Sequence, residues 1–332
     1  MKNPIWIEPL CRWFIKAQRQ MPWRQTADPY KIWISEVMLQ QTQVKTVIEY
    51  YLKFTQRFPT IKNLAEANEN EVLSLWSGLG YYSRARNLHK GAKYLLEKHQ
   101  QIFPRTLEEA LEIPGVGPYT AGAVLSIAYN LSVPVVDGNV QRVFSRLYLK
   151  TESPEKLTLF FWEKARELIK NVKSPKIYNQ ALMELGATVC TKYDPKCSSC
   201  PVNKCCEAYK QGLQNEIPRA KKRQSQKDLH WVGYLYQQGE KYYLEKGKMR
   251  WWQEMWHFPV EETSLKNARK LYREAMRKNR ALNRHIHYVT HHKIHLYPIV
   301  SQKNLKSKDW FTKEEILKMP VSSLVKKVMR EL

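Results

Sequence analysis

Between Ile32 and Phe54 the apolar residues Ile34, Val37, Met38, Val44, Val47, Ile48 and Tyr51 recur at close to helical spacing. That period predicts a helix over the stretch, with Ser35 to Met38 near its start. ENEVLSLWSGLGYYSRARNLHKGAKYLLEKH (69–99) predicts two helices on either side of a turn at Gly78 and Gly80. TLEEALEIP (106–114) predicts a short helix with Thr106 as N-cap and Glu109 completing a capping-box pattern. KIYNQALMELGATVC (176–190) predicts another. After about residue 229 the period shortens. HWVGYLYQ and KYYLEK flank a QQGE turn and predict a hairpin. HIHYVTHHKIHLYPIV (285–300) places Ile286, Tyr288, Ile294 and Leu296 on even positions, a strand period. KEEILKMPVSSLVKKVMREL (313–332) reads as helical. Between the two regimes lies QGLQNEIPRAKKRQSQKD, with Arg219, Lys221, Lys222, Arg223 and Lys227. The expected organisation is a mainly α region over 1–210, a basic linker over 211–228 and a smaller α+β domain over 229–332, without internal repeats.

Residues 113–122 read IPGVGPYTAG. Two helices joined by Pro114-Gly115-Val116-Gly117 form a hairpin whose second helix opens with unpaired backbone N–H groups. Such groups bind anions with help from the helix dipole, and glycine admits a phosphate without a Cβ clash. Val116 can anchor the turn in the core, and Pro118 removes one donor. A plain turn is the simpler reading of these residues alone.

Charge shifts that balance. Lys and Arg outnumber Asp and Glu by 55 to 31, a formal net charge of +24, which points to a polyanion partner such as nucleic acid. Hydrophobic residues make up 43% of the chain, enough for a packed core and against general disorder. The N-terminal run is broken by Pro4, Glu8, Pro9 and Arg12, so it lacks a signal-peptide core. The most apolar window, AGAVLSIAYNLSVPVV (121–136), falls short of the roughly 18 uninterrupted residues of a membrane span. A soluble cytoplasmic protein without a membrane partner is expected.

Cys11 stands apart from five cysteines between 190 and 206, too clustered for a disulfide framework. Cys190, Cys197, Cys200 and Cys206 read C-x6-C-x2-C-x5-C, with Cys205 as an alternative fourth ligand. Four thiolates in one loop suit a tetrahedral zinc or an iron–sulfur cluster, and spacing alone does not separate them.

The order IPGVGPYTAG, VDGNVQRV (136–143) and then the cysteine run resembles the iron–sulfur members of the helix–hairpin–helix DNA glycosylase superfamily. PWR (22–24), WISEVMLQQTQV (33–44) and GLGYYSRARNLHKGA (78–92) narrow the resemblance to adenine DNA glycosylases of the MutY type. It covers about residues 20–207 and continues more weakly beyond. It implies two helical subdomains, with the helix–hairpin–helix near 106–130 and an iron–sulfur loop at 190–206, followed by a Nudix-like domain. The implied activity is base-excision repair: hydrolytic removal of adenine opposite 8-oxoguanine or guanine in double-stranded DNA. The implied protein is a bacterial-type, nucleoid-associated monomer. The implied cofactor is a [4Fe–4S] cluster on Cys190, Cys197, Cys200 and Cys206, with Cys205 a bystander.

Breaking an N-glycosidic bond needs an acid for the leaving base and a stabiliser for the cationic sugar. Glu36 lies in apolar text, where burial raises a carboxyl pKa, and Asp137 lies where it can cap a helix and stay ionised. A helical Glu usually faces solvent and an Asp before Gly-Asn is usually a cap, but the resemblance assigns both to catalysis. It implies that Glu36 protonates adenine at N7 and later activates water. Asp137 stabilises the oxocarbenium ion, directly or through a covalent sugar adduct, and Asn139 orients the centre. Tyr119 occupies the slot of the Schiff-base lysine of strand-cutting relatives; a phenol forms no imine, so a monofunctional enzyme is expected. Gln41 and Tyr81 match wedge positions beside the oxidised guanine. Trp23, Arg24 and Gln180 match the adenine pocket, where an amide suits the adenine edge. Gly115 and Gly117 grip one strand.

In the C-terminal domain the family's Phe-Ser-His reading loop corresponds to Val289-Thr290-His291. Thr290 keeps the hydroxyl and Val289 loses the aromatic surface, so Thr290 and His291 are the expected contacts to the damaged base. MRWWQEMWHFP also departs from the glycine-rich family text. REAMRKN lacks the clustered glutamates of Nudix chemistry, which implies a binding module. Five histidines between 285 and 295 are expected on a phosphate-facing strand surface rather than around a metal. Two alternatives stand against the main reading. A thymine or oxidised-pyrimidine glycosylase is disfavoured by WISEVMLQQTQV, and a non-catalytic DNA-binding iron–sulfur protein by the presence of both carboxylates.

Overall fold

The computed structural model describes residues 4–219, 225–247, 251–252, 255–301 and 305–332. Helices run through the first 210 residues: α1 (Ile7–Ala17), α2 (Pro29–Leu39), α3 (Val44–Arg57), α4 (Ile61–Glu66), α5 (Glu69–Leu75), α6 (Ser83–Lys98), α7 (Leu107–Glu112), α8 (Pro118–Tyr129), α9 (Gly138–Leu147), α10 (Thr158–Ile169), α11 (Pro175–Thr188) and α12 (Glu207–Lys210). Then come β1 (Lys227–Gln238), β2 (Lys241–Tyr243), β3 (Glu245–Lys246), β4 (Trp256–His257), β5 (Val260–Thr263), α13 (Leu265–Arg277), β6 (His285–Val289), β7 (His292–Ser301), β8 (Trp310–Thr312), α14 (Lys313–Lys318) and α15 (Ser323–Met329). This is the mainly α region followed by a smaller α+β part. Contacts divide the chain into two compact units, one of Met1–Glu66 and Asn87–Lys222, the other of Ala67–Arg86 and Arg223–Leu332. Of the linker's basic residues, Lys221, Lys222 and Arg223 lie outside the described residues.

In the first unit α2 is the central helix. Asp28 caps it, Pro29 opens it, and every residue from Ile32 to Met38 is buried. A helix apolar around its whole circumference has neighbours on all sides; α2 packs on α8, and α11 packs on α1, α8 and α9. The single helix expected over 32–54 is two, α2 and α3. The chain turns between them with Gln41 in the left-handed region at φ 56°. No glycine or proline marks this turn, so the apolar period runs through it unbroken. At α7, Thr106 accepts from the Glu109 N–H at 3.3 Å, as the cap predicts. The Glu109 carboxylate takes the Thr106 hydroxyl at 2.6 Å. The complete capping box is at Thr312 and Glu315 of α14.

The second unit carries a sheet of order β6-β7-β1-β2-β8, with β5 also paired to β1. β1 and β2 form the expected antiparallel hairpin, Gln238 opposite Lys241. β1 and β7 run parallel, placing His230 opposite His295. The stretch 285–300 is two strands, joined at Thr290-His291, not one face of a single strand. Val289 pairs with His292, so Ile294 faces His287 and not Tyr288. Ile294 and Leu296 are therefore buried, while Ile286 and Tyr288 are exposed. One face of α13 covers the sheet: Ala268, Leu271 and Tyr272 pack on Val232 and Tyr297. The C-terminal helical text is α14 and α15, separated at Pro320, which cannot continue a helix. Among the described residues no helix is long and apolar enough to cross a membrane.

Candidate active site

α2, α8, α9 and α11 converge on one cavity of about 560 Å³ in the first unit. Its lining includes Glu36 from α2, Tyr119 from the first turn of α8, Asp137 and Asn139 from the start of α9, and Gln180 from α11. Trp23 and Arg24 reach it from the single turn Pro22–Arg24, and Gln41 from the α2–α3 turn. Eight residues singled out along the sequence thus share one space.

Glu36 is buried, and the Tyr119 hydroxyl donates to its carboxylate at 2.6 Å. Burial drives the Glu36 carboxyl up to about 7 and the negative charge of Asp137 adds to it, against the Tyr119 hydrogen bond and the Arg24 cation. At neutral pH this group can hold a proton and surrender it. Asp137 caps α9: one carboxylate oxygen accepts from the Val140 N–H at 2.7 Å, the other from the Asn139 amide at 2.8 Å. The cap is where the sequence places it. Burial nonetheless pushes the Asp137 carboxyl above its ordinary value, against those two bonds and Arg142. Arg142 extends the network, donating to the Asn139 amide oxygen at 2.9 Å and to the Cys190 carbonyl at 2.7 Å.

Sequence reasoning missed Glu184. It is 1% exposed and bound by Arg19 at 2.7 Å and Arg24 at 2.7 Å. Burial alone would raise its carboxyl, but the two arginines pull it down to about 2. Glu184 fixes Arg24 in the cavity wall as an anion that stays charged. The available signal was its place four residues after Gln180, on the same face of a helix. Gln180 lines the cavity, and its amide N–H donates to the Lys176 carbonyl at 3.2 Å.

Gly115 and Gly117 lie in the α7–α8 turn, away from the cavity lining. Gly115 has φ 80°, and a Cβ there would stand 2.5 Å from the Asn87 Cβ, so packing already demands glycine. Gly117 faces open space and supplies no side-chain cap to α8. Val116 is buried, as an anchor would be. The first N–H groups of α8 therefore have no side-chain cap.

Tyr81 and Thr290 line a second cavity, of about 350 Å³, in the second unit with Trp251, Trp252, His287 and Val289. His291 is not in that lining; its ring lies 4.0 Å from the ring of His292. Tyr81 and Thr290 have φ 49° and 53°, left-handed values that a non-glycine residue seldom adopts.

Cys190, Cys197, Cys200 and Cys206 border a third cavity, and Cys205 does not. Arg146 donates to the Cys190 sulfur at 3.3 Å. Burial pushes the Cys200 thiol up to about 12, and charge on Cys190, Cys206 or Cys197 would push it further. Among the described residues no three His, Cys, Asp or Glu side chains close around a single ion.

The fold and the first cavity define a class. The family model of the HhH-GPD superfamily base excision DNA repair protein matches residues 34–167. A thermostable thymine-DNA glycosylase structure aligns with TM-score 0.57 at 28% identity, over 62% of this chain and 96% of that one. Curated relatives narrow the class. The adenine DNA glycosylase of Buchnera aphidicola subsp. Baizongia pistaciae (strain Bp) is 37% identical over 306 residues, 90% of this chain and 86% of that protein. The adenine DNA glycosylase of Mus musculus is 46% identical over 63% of this chain and 42% of its own length. The chain belongs to the MutY-type adenine DNA glycosylases, enzymes that act on N-glycosyl bonds.

Proposed function

We propose that this chain excises adenine mispaired with 8-oxoguanine or guanine from double-stranded DNA, by hydrolysis of the N-glycosidic bond and without cutting the strand. The observation that carries this reading is the buried Glu36, at a pKa of about 7, sharing one cavity with Asp137. Adenine leaves the stack and enters the cavity at a cost of a few kcal/mol. Glu36 gives its proton to adenine N7, and the bond electrons leave with the base. Asp137, held by Asn139 and the Val140 N–H, stabilises the positive sugar. Water adds to the sugar carbon and Glu36 takes back a proton. Tyr119 supports this cycle by holding Glu36, and it has no amine for a strand-cutting imine. Trp23, Arg24 and Gln180 form the adenine pocket.

Tyr81, Thr290 and the tryptophans of the second cavity are the contacts for the oxidised guanine. Gln41, which lines the first cavity, is a wedge into the base stack. The bare N-terminus of α8 at Gly117 takes a phosphate. The four cysteines hold a [4Fe–4S] cluster. All four border one cavity that Cys205 does not line, and four thiolates in one loop are a donor set that suits such a cluster. Bound there, the cluster supplies cross-linking of the 190–206 loop.

The test is a duplex with adenine opposite 8-oxoguanine, incubated with the protein and treated with alkali. Cleavage at the adenine is expected only after alkali, and Glu36→Gln is expected to slow excision by about 10²–10⁴-fold. No alkali-labile site at adenine would overturn the reading.

A further inference from the structure

Helix α13 has two contrasting faces. Ala268, Leu271, Tyr272 and Ala275 recur at helical spacing and turn towards the sheet. Lys266, Lys270, Arg273 and Arg277 form a row on the opposite side, all exposed, with Arg269 on its flank. The row spans roughly 16 Å at 1.5 Å per residue. Lys278, Arg280 and Arg284 continue the basic run beyond the helix, and Glu274 is the only acid between Leu265 and Arg284. Among the described residues none of Lys266, Arg269, Lys270, Arg273 and Arg277 forms an ion pair.

This spacing is unfavourable by itself. Lys266 with Lys270, Arg269 with Arg273, and Arg273 with Arg277 are like charges four residues apart, a placement that destabilises a helix. The repulsion is relieved when a polyanion lies along the row. Where clustered glutamates would hold a metal ion, this helix instead presents cations.

We infer that the α13 ridge is a sequence-independent docking surface for the phosphate backbone of duplex DNA, separate from the cavity that holds Glu36. Charges one helical turn apart meet successive phosphates of one strand, and counterion release drives the contact. The ridge holds undamaged as well as damaged duplex. The proposed reaction supplies only the identity of the partner.

The experiment uses the full chain and an undamaged duplex, with affinity followed by fluorescence anisotropy across a salt series. The variant is Lys270→Gln, Arg273→Gln and Arg277→Gln. The control, Lys156→Gln, Lys170→Gln and Lys173→Gln, removes the same charge from exposed lysines elsewhere in the chain. The ridge variant is expected to bind roughly tenfold more weakly and to flatten the log–log salt slope by about 0.9 for each phosphate it no longer neutralises. Its excision rate at saturating enzyme is expected to match the parent. Equal weakening in both variants would reduce the effect to net charge and overturn the inference. Unchanged affinity and slope would also overturn it, leaving the ridge to an acidic protein. Undamaged-duplex binding is read without excision, so this inference and the proposed reaction fail independently.

Discussion

Glu36 carries a pH-dependent cost in the folded chain. Its carboxyl titrates near 4.5 when unfolded and about 7 when folded. Between those values the native state holds a proton that the unfolded state has released, so stability falls as pH rises through the window. At about 1.4 kcal/mol per unit, the cost above pH 7 is about 3 kcal/mol. Glu36→Gln removes it, so the variant should gain about that much over the parent in urea unfolding at pH 8 and little at pH 5. An equal difference at both pH values would contradict the burial argument. Glu184 behaves in the opposite sense. Its carboxyl is pulled to about 2, so its contribution is present above pH 4.5 and is lost as pH falls towards 2. Glu184→Gln leaves the largely buried Arg24 short of its partner. Urea unfolding at pH 7 should show a loss of about 3 kcal/mol, the low end of the range because Arg19 is partly solvated. An unchanged unfolding midpoint would contradict the pairing. Glu36 and Asp137 were legible because their flanking residues announce burial and a helix start. The Glu184 network was not, because Arg19 lies 165 residues away and no local pattern records that meeting.

At the scale of elements, apolar periods found the helices but not where they stop. Turns at Gln41, Tyr81 and Thr290 use left-handed backbone without glycine at those positions. Gly78 and Gly80 announce the turn before Tyr81, but local turn chemistry gives no signal at Gln41 or Thr290, where the surrounding fold holds the backbone in place. The same three positions carry candidate contacts to DNA, which is where strained backbone tends to collect. The β6–β7 register departs from the even-position pattern for a similar reason: alternation alone does not say which residues form the connection. Close packing makes a sharper prediction where α9 meets α11. A Cβ on Gly186 would stand 2.5 Å from the Asn139 Cβ and 3.0 Å from its Cα. Gly186→Ala must therefore separate the two helices and displace Asn139 and its hydrogen bond to Asp137. Excision is expected to slow by about 10²-fold, the cost of an ångström-scale misplacement, while circular dichroism keeps its helical signal. Full activity in a folded variant would show that the site does not depend on this contact.

Across the whole molecule, the change of period near residue 229 and the cysteine run mark the α and α+β parts and the third cavity. The grouping of residues 67–86 with the C-terminal unit was not legible, since their helical text matches that of the first unit. Net charge pointed to a polyanion, and the fold distributes that charge onto surfaces such as the α13 ridge. Chemistry returns to a single proton on Glu36. Single-turnover excision of adenine opposite 8-oxoguanine, followed from pH 5 to pH 9, reads that proton. The rate should fall about tenfold per unit above about pH 7, as the general acid is lost. A rate that stays level to pH 9, or survives Glu36→Gln undiminished, would contradict it.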